Sequence, residues 1–351
     1  PAHLHGSTAS RNGEVPCDGQ AKNDEQVAST ESMPTLLITG GAGFIGGRTA
    51  SLAIEQGWSV RVLDNLSTGL QSTCMSLKNQ GADVMVGDIR DPKTVDSAVK
   101  GCDAVVHLAA QVSVPYSVDH SEENHAINVG GTACLLKACQ DNDVSRFIMA
   151  SSAAVYGSCE NLPLREEDAG AFQSPYAESK HINEGMMKEA RQEGMETIAL
   201  RFFNVYGTGQ RTAGAYAAVV PKFIELATQG NAPIIHGDGH QTRDFIHVDD
   251  VVEAVLMLAG EKWNPAYAPV YNLSTGIEVS LLQLVKNIQG VLREISPTTN
   301  RPAPVHTDGR VGDILRSVGS SARIQNDTAW KPRISLESGI RRQIEDALNR
   351  T

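Results

Sequence analysis

The stretch TLLITGGAGFIG, residues 35–46, joins a short apolar run to a loop rich in glycine. The run at residues 36–38 suits a strand buried on both faces, as in the middle of a parallel sheet. Gly40, Gly43 and Gly46 follow in the pattern GxxGxxG, where missing side chains let the backbone turn tightly and the next helix pack closely. An ordinary strand-to-helix turn can carry the same glycines, but the order of strand, glycine loop and helix favours a dinucleotide-binding unit.

Two residues near this loop refine the prediction. We expect the helix to begin near Phe44, so that its free N–H groups and the positive end of its dipole point at a pyrophosphate. A second apolar run, residues 60–63, ends in Asp64. A carboxylate placed there accepts hydrogen bonds from ribose hydroxyls and repels a 2′-phosphate, which favours NAD over NADP.

The composition excludes several classes of partner. The chain has 351 residues, 41% of them hydrophobic, and a formal net charge of −11. An acidic surface does not attract nucleic acid or anionic membranes, and no apolar run is long enough to span a bilayer. The six cysteines are scattered without a CxxC pair, which indicates reduced thiols and a cytoplasmic protein. His3 and His5 lie in a polar stretch with no further ligand nearby, so we expect no metal site there and a flexible tail over residues 1–33.

Beyond residue 34 the chain alternates apolar runs with amphipathic stretches, which predicts an α/β fold with a doubly wound parallel sheet. The domain prediction is an NAD-binding Rossmann domain over residues 34–203, with residues 241–275 returning to it. A smaller substrate domain takes residues 204–240 and 276–351, where Pro and Gly become frequent. Gly57, Gly81 and Gly101 each precede a strand, where a helix ends. The later predicted strands are residues 60–63, 84–86, 104–108, 147–150 and 198–202, and the last predicted helix is residues 336–348.

The motif YxxxK in SPYAESK places Tyr176 and Lys180 on one face of a helix. A tyrosine is a poor base near neutral pH unless a cation favours the phenolate, and an ammonium one turn away provides that cation. A surface pair on a helix is the alternative reading. Ser151 and Ser152 end the strand before it, and a Ser152 hydroxyl there can donate a hydrogen bond to a substrate oxygen while Tyr176 takes its proton. Serines also cap strand ends for structural reasons alone.

Eight motifs in order carry a resemblance to a known family. The chain reads TGGAGFIG, DNLSTG (residues 64–69), GDIRD (87–91), HLAAQ (107–111), SSAAVYG (151–157), SPYAESK (174–180), RFFNVYG (201–207) and GDGHQTRDFIHVDD (237–250). Together these resemble the extended short-chain dehydrogenase/reductases and, within them, nucleotide-sugar 4-epimerases, from Thr35 to the last helix.

The resemblance implies NAD as cofactor, a UDP-sugar as substrate, and a role for each matching residue. Ser152, Tyr176 and Lys180 match the catalytic set. The matching cofactor-binding residues are Gly40, Gly43, Phe44, Ile45, Gly46, Asp64, Asn65, Ser67, Thr68, Gly69, Asp88, Ile89, Leu108, Ala109, Ala110, Gln111 and Phe203, together with Tyr176 and Lys180. The matching substrate-binding residues are Ser113, Ser152, Asn204, Val219, Arg243, Arg310, Asp313 and Ser317.

Two arginines suit a diphosphate in an otherwise acidic protein. Surface pairing of Arg243 and Arg310 with Asp244 and Asp313 is the alternative.

Two positions differ from those of related enzymes and indicate which reaction of the family this chain catalyses. Related 4,6-dehydratases carry an acidic pair directly after the residue that matches Ser152, whereas this chain has Ala153 and Ala154. Without that acid, elimination lacks its general acid, and the reaction that remains is removal and return of a hydride. The small Ser317 matches a gate position where bulk excludes an acetamido group, so the pocket should admit N-acetylated and plain hexoses.

The predicted activity is 4-epimerisation of UDP-hexoses: UDP-GlcNAc and UDP-GalNAc, and also UDP-Glc and UDP-Gal. A reductase that consumes NAD(P)H and a non-catalytic nucleotide-binding relative are the alternatives. The family further implies a homodimer formed through helices at residues 126–139 and 176–191.

Overall fold

The computed structural model describes residues 33–212, 218–309 and 314–349, so the predicted tail up to residue 32 lies outside the described part. The strands are β1 (Thr35–Thr39), β2 (Ser59–Asp64), β3 (Asp83–Val86), β4 (Ala104–His107), β5 (Arg146–Ser152), β6 (Glu196–Phe202), β7 (Asn204–Tyr206), β8 (Ile234–His236), β9 (Thr242–Arg243), β10 (Phe245–His247), β11 (Val270–Leu273), β12 (Val279–Ser280) and β13 (Val305–Thr307).

The helices connect these strands, and a π-helical turn, Ala126–Gly130, precedes the sixth of them. They are α1 (Phe44–Glu55), α2 (Gln71–Asn79), α3 (Pro92–Val99), α4 (Val114–Asp119), α5 (Ser121–His125), α6 (Gly131–Asp141), α7 (Pro175–Gln192), α8 (Val219–Thr228), α9 (Val248–Gly260), α10 (Leu281–Ile295), α11 (Ala322–Asp327) and α12 (Leu336–Asn349).

Seven parallel strands form the central sheet in the order β11-β6-β5-β4-β1-β2-β3. The strand order reverses between β1 and β4, and ligands of such sheets bind at the carboxyl ends of the strands on either side of that point. The doubly wound fold is confirmed, and each predicted run is a strand whose ends differ by at most two residues. Gly57, Gly81 and Gly101 have φ of +88°, +103° and +74°, the left-handed conformation expected after a helix.

Alternate residues of each central strand face opposite layers of helices. In β1, Leu36 and Ile38 pack with the layer that contains α1 and α9, whereas Leu37 packs with the layer that contains α3, α6 and α7. All three side chains are fully buried. The sheet therefore has two apolar faces, which is why its strands read as continuous apolar runs.

The smaller C-terminal region has its own apolar core, formed mainly by α8, α10 and α12. Three two-stranded sheets accompany it: β7 with β10, β8 with β13, and β9 with β12. Helix α10 begins with a reciprocal cap in which the Ser280 and Gln283 side chains each accept from the other's backbone N–H. The predicted last helix is confirmed as α12.

Candidate active site

The glycine loop between β1 and α1 is too crowded for side chains. A Cβ added at Gly46 would lie 2.1 Å from the carbonyl oxygen of Gly40, and one added at Gly40 would lie 2.7 Å from the backbone nitrogen of Ala109. Gly40 also has a φ of +73°. The helix begins at Phe44, as predicted, so the loop presents backbone N–H groups that fit a pyrophosphate.

Asp64 joins this loop to the next one. Its carboxylate accepts from the N–H of Ala42 at 2.9 Å and from the N–H of Leu66 at 2.8 Å, and the residue is 7% exposed. Asn65 donates to Asp88 at 3.2 Å. A pair of hydrogen bonds from Arg90 holds the pKa of Asp88 far below its usual range. The predicted ribose-binding and adenine-flanking residues thus form one connected edge beside the glycine loop.

The other residues predicted to bind the cofactor lie along the same edge. Ser67 donates its N–H to Asn65, the Thr68 carbonyl accepts from Arg211, and the Gln111 N–H donates to Asn128. Gly69 has no room for a Cβ beside the Asp64 carboxylate. Four more are buried or half-buried: Ile89, Leu108, Ala110 and Phe203.

The YxxxK pair lies at the start of α7, which Ser174 caps by accepting from the N–H of Ala177 at 3.2 Å. Tyr176 is 8% exposed and Lys180 is 4% exposed. The Lys180 Nζ donates to the carbonyl of Ala150 at 2.8 Å and lies 5.9 Å from the centroid of the Tyr176 ring. The Ser152 hydroxyl lies beside the Tyr176 phenol. The three predicted catalytic residues therefore meet at the carboxyl end of β5, and the reading of a solvent-exposed surface pair is wrong.

The protonation of this pair differs from the sequence prediction. Burial raises the pKa of the Tyr176 phenol above its ordinary value, and the nearby Ser152 hydroxyl lowers it by less. Burial also lowers the pKa of Lys180 to about 8, against the attraction of Glu184. The sequence predicts that the Lys180 ammonium favours the phenolate, whereas in this structure burial holds the pKa of the phenol above its ordinary value, because a buried phenolate loses its hydration.

A second group of predicted residues meets around Asp244. The Asn204 N–H donates to the Asp244 carbonyl at 3.0 Å, and the side chain of Arg243 donates to the carbonyl of Ile314 at 2.7 Å. The Asp244 carboxylate is fully buried and accepts from the N–H groups of Thr275, Gly276 and Gly319 and from the Thr275 hydroxyl. Asp244 therefore organises the loop that carries Ser317, and the alternative of a surface pair between Arg243 and Asp244 is wrong.

The two groups are close because β5 and β6 are in register. Ser152 pairs with Phe202, which is two residues before Asn204. Ser317 is 9% exposed. Ser113 caps α4 by accepting from the N–H of Tyr116, and Val219 begins α8 half-buried. Arg310 and Asp313 lie outside the described residues.

Sequence reasoning assigned no role to three residues with large effects here. His107, Glu184 and Arg201 are all buried. Glu184 follows Lys180 by four residues, the same spacing that identified the tyrosine and lysine pair, and Arg201 opens the RFFNVYG motif. The spacing of Glu184 and the motif of Arg201 are visible in the sequence. Only the folded chain shows that their side chains form an ion pair, with 2.7 Å between Arg201 Nη2 and a Glu184 oxygen.

A sequence model of the NAD dependent epimerase/dehydratase family matches residues 36–274. The chain belongs to this family. It is 36% identical over 313 residues to a putative UDP-glucose 4-epimerase of Methanocaldococcus jannaschii, covering 88% of this chain and 97% of that one.

Two solved structures share the fold over nearly their whole length. One is the UDP-N-acetylglucosamine 4-epimerase of Methanobrevibacter ruminantium M1 in complex with UDP-N-acetylmuramic acid, with a TM-score of 0.83, 31% identity, and coverage of 91% of this chain and 99% of that one. The other is the UDP-glucose 4-epimerase of Thermus thermophilus in complex with NAD, with a TM-score of 0.78, 29% identity, and coverage of 90% and 100%.

NAD is the cofactor of this family, and the glycine loop with Asp64 fits it, because α1 begins directly after a loop too crowded for side chains and a carboxylate ends β2. The protein is thus an NAD-dependent enzyme of nucleotide-sugar chemistry. In the described ranges, no helix combines the length and apolarity needed to cross a membrane.

Proposed function

We propose that the protein is an NAD-dependent UDP-hexose 4-epimerase that acts on UDP-GlcNAc and UDP-GalNAc and also on UDP-Glc and UDP-Gal. The observation that carries this proposal is the meeting of Ser152, Tyr176 and Lys180 at the end of β5, followed directly by Ala153 and Ala154 in a short 3₁₀ turn. A dehydratase needs a general acid beside the sugar, and the two alanines supply none.

In this reaction Tyr176 takes the proton of the sugar 4-hydroxyl and later returns it, while the Ser152 hydroxyl orients the same oxygen. The glycine loop and Asp64 would hold NAD, which would supply a reversible hydride acceptor for the sugar carbon. The 4-keto sugar turns over between the two transfers, so the pocket must hold the nucleotide firmly and the hexose loosely. Among the residues that the structure describes, Arg243 is the candidate for binding the diphosphate, because a guanidinium can donate to two phosphate oxygens at once.

The test is incubation of the purified protein with UDP-GlcNAc and, separately, UDP-Glc, followed by analysis for the 4-epimer. We expect both epimers to form with no net change in nicotinamide absorbance, which a reductase would produce. Tyr176→Phe should reduce the rate by at least about 100-fold, because it removes the general base. Tyr267→Phe, at a buried tyrosine outside this site, should retain the rate. Absence of either epimer with the intact protein rejects the proposal.

The gate is tested separately by Ser317→Tyr. A bulky side chain at this nearly buried position should depress the use of UDP-GlcNAc far more than the use of UDP-Glc. The activity with UDP-Glc is the internal control for folding. Equal losses with both substrates would place the gate elsewhere.

We further propose a cytoplasmic homodimer that pairs α6 and α7 of each subunit. The supporting residues are Ile182 and Met186 on α7 and Val129 and Cys134 before and within α6, which are only half-buried in one chain. The five cysteines within the described ranges are free thiols, as in a reducing compartment. Light scattering after gel filtration should give twice the chain mass of 37.5 kDa, and Met186→Glu should halve it. A monomeric wild type refutes the dimer.

A further inference from the structure

Three successive residues at the end of β5 each contact a different residue of α7. The Ser152 hydroxyl lies beside the Tyr176 phenol, the Ala150 carbonyl accepts from Lys180 at 2.8 Å, and the Ser151 hydroxyl donates to Glu184 at 2.5 Å. The α7 residues are four apart and therefore share one helix face. Two of the three contacts belong to the catalytic set, and the third leads into the protein interior.

Glu184 is held on its other side by Arg201 of β6. The guanidinium donates from Nε to one carboxylate oxygen at 2.8 Å and from Nη2 to the other at 2.7 Å. The Arg201 side chain is 4% exposed and the Glu184 side chain is 5% exposed. The remaining Nη1 donates to the Tyr156 hydroxyl at 2.9 Å and to the Glu166 carbonyl at 2.7 Å. Both carboxylate oxygens of Glu184 are thus occupied by a partner that is itself fixed on three sides.

This arrangement has a consequence for Lys180. A buried carboxylate one helical turn from an ammonium normally attracts it, because charges interact strongly away from water. Here the Lys180 ammonium instead lies on the Ala150 carbonyl, within 6 Å of the Tyr176 ring. The guanidinium fork satisfies Glu184 with good geometry and leaves the lysine to its other contacts.

The charges around Lys180 are few. Glu184 and Tyr176 face it from its own helix and His107 from the end of β4, while Arg201 and Tyr156 stand behind Glu184. His107 is neutral near pH 7, because burial lowers its pKa to about 3, and burial raises the pKa of Tyr156 to about 12. Lys180 and Arg201 contribute two positive charges and Glu184 one negative charge, and the His181 ring is a further titratable group there, with its Nδ1 3.7 Å from a Glu184 oxygen.

We propose that Arg201 occupies Glu184 so that the Lys180 ammonium stays on the Ala150 carbonyl beside Tyr176, which makes Glu184 and Arg201 a positioning pair for the catalytic lysine. Its effect on turnover rests on the proposed function, in which Tyr176 and Lys180 carry the proton transfer. A merely structural ion pair would change stability alone. A positioning pair also changes the titration of Lys180, and in opposite directions for its two members.

The test follows the Lys180 signal by NMR in protein labelled with ¹³C at the lysine ε-carbons, with the signal assigned by its loss in Lys180→Arg. Glu184→Gln should lower the pKa of Lys180 by about one unit or more, because it removes the opposite charge. Arg201→Met should raise the pKa of Lys180 by a similar amount, because it frees Glu184 to pair with the lysine. Glu189→Gln, at an exposed glutamate on the same helix, is the matched control and should leave the titration unchanged.

A single variant that leaves a buried charge unpaired can fail to fold, so the double variant Glu184→Gln/Arg201→Met completes the set. With both charges removed, the pKa of Lys180 should fall between those of the single variants. Shifts of the same sign in both single variants, no shift in either, or a double variant outside their range would overturn the proposal.

Turnover gives the second readout. With the sugar nucleotide that the wild type epimerises, Arg201→Met should lower kcat at least about 10-fold and change KM less than about 3-fold, because the substrate contacts are untouched. A full kcat in a variant whose Lys180 titration has moved would also overturn the positioning role. If the wild type epimerises no sugar, the proposed function fails, and the NMR titration still decides whether the pair positions Lys180.

Discussion

Protonation of His107 should make the protein lose stability below neutral pH by an amount that the structure allows us to work out. The ring is 3% exposed. The Nδ1 lies 2.7 Å from the Thr39 hydroxyl, and the Nε2 lies 3.0 Å from the Thr132 hydroxyl. The Thr132 hydroxyl donates to the Asn128 carbonyl at 2.6 Å, so it accepts from the Nε2–H. The Thr39 hydroxyl accepts from the Ala109 N–H at 3.3 Å and donates to Nδ1. A proton on Nδ1 would force the Thr39 hydroxyl to turn its own hydrogen away from the ring.

Burial, with the nearby positive charge of Lys180, lowers the pKa of His107 from 6.5 to about 3. The unfolded chain binds a proton at this residue below pH 6.5, whereas the folded protein does not until about pH 3. The free energy of unfolding therefore falls as the pH drops through 6.5 and is unaffected by His107 above it. At pH 5, which is about 1.5 units below the pKa of the unfolded chain, proton binding at this residue lowers the free energy of unfolding by about 2 kcal/mol.

The perturbation is His107→Gln, and the assay is urea unfolding followed by tryptophan fluorescence at pH 8, 7, 6 and 5. The variant should be less stable at pH 8 by about 1 to 3 kcal/mol, because it loses buried hydrogen bonds. The gap between wild type and variant should then shrink by about 2 kcal/mol at pH 5, since only the wild type loses stability through this residue. The exposed His125→Gln is the control. A gap equal at pH 8 and pH 5 would refute the buried neutral histidine.

Three further outcomes follow from local packing. Gly46→Ala should weaken NAD binding at least about 10-fold in a titration by fluorescence, because its Cβ meets the Gly40 carbonyl at 2.1 Å; unchanged affinity would mean that the loop can shift. Gly290→Ala within α10 meets no atom within 4 Å and should raise the free energy of unfolding by about 0.5 to 1 kcal/mol in urea, whereas a loss would indicate an unrecognised contact. The Cys102 and Cys139 thiols, whose pKa values burial raises, should react with a thiol reagent only in urea; fast reaction in buffer would contradict their burial.

The central sheet could be predicted from the sequence because its strands are buried on both faces. Such strands read as short apolar runs, and the left-handed glycines at 57, 81 and 101 separate them from the helices before them. The strand ends differ from the predicted ones by up to two residues. The predicted run 147–150 extends to Ser152 because two serines, polar in sequence, still pair with β6 at the active-site edge.

The catalytic residues could be named because their spacing is local, whereas their supporting contacts could not. Tyr176 and Lys180 are one helical turn apart, so the sequence alone places them on one face. Glu184 and Arg201 come together only when α7 packs beside β6, and Asp244 finds its donors 31 and 75 residues further along the chain. A charged residue in a sequence is ordinarily read as exposed, so a buried pair of charges is invisible until its partner is placed.

Because the pKa of the Tyr176 phenol is raised, the phenol depends more strongly on the Lys180 ammonium to act as a base. Burial raises the pKa of the phenol, since a phenolate loses the water that would stabilise it. The same burial strengthens the attraction between a phenolate and an ammonium, because both lie where the effective dielectric constant is low. Water entering the site would solvate the phenolate and so lower the pKa of Tyr176. The same water would screen the phenolate from the Lys180 ammonium and weaken their attraction. A tyrosine can therefore serve as a base here only if the ammonium stays near it. That requirement explains why a lysine that has a carboxylate on its own helix face must be kept from pairing with it.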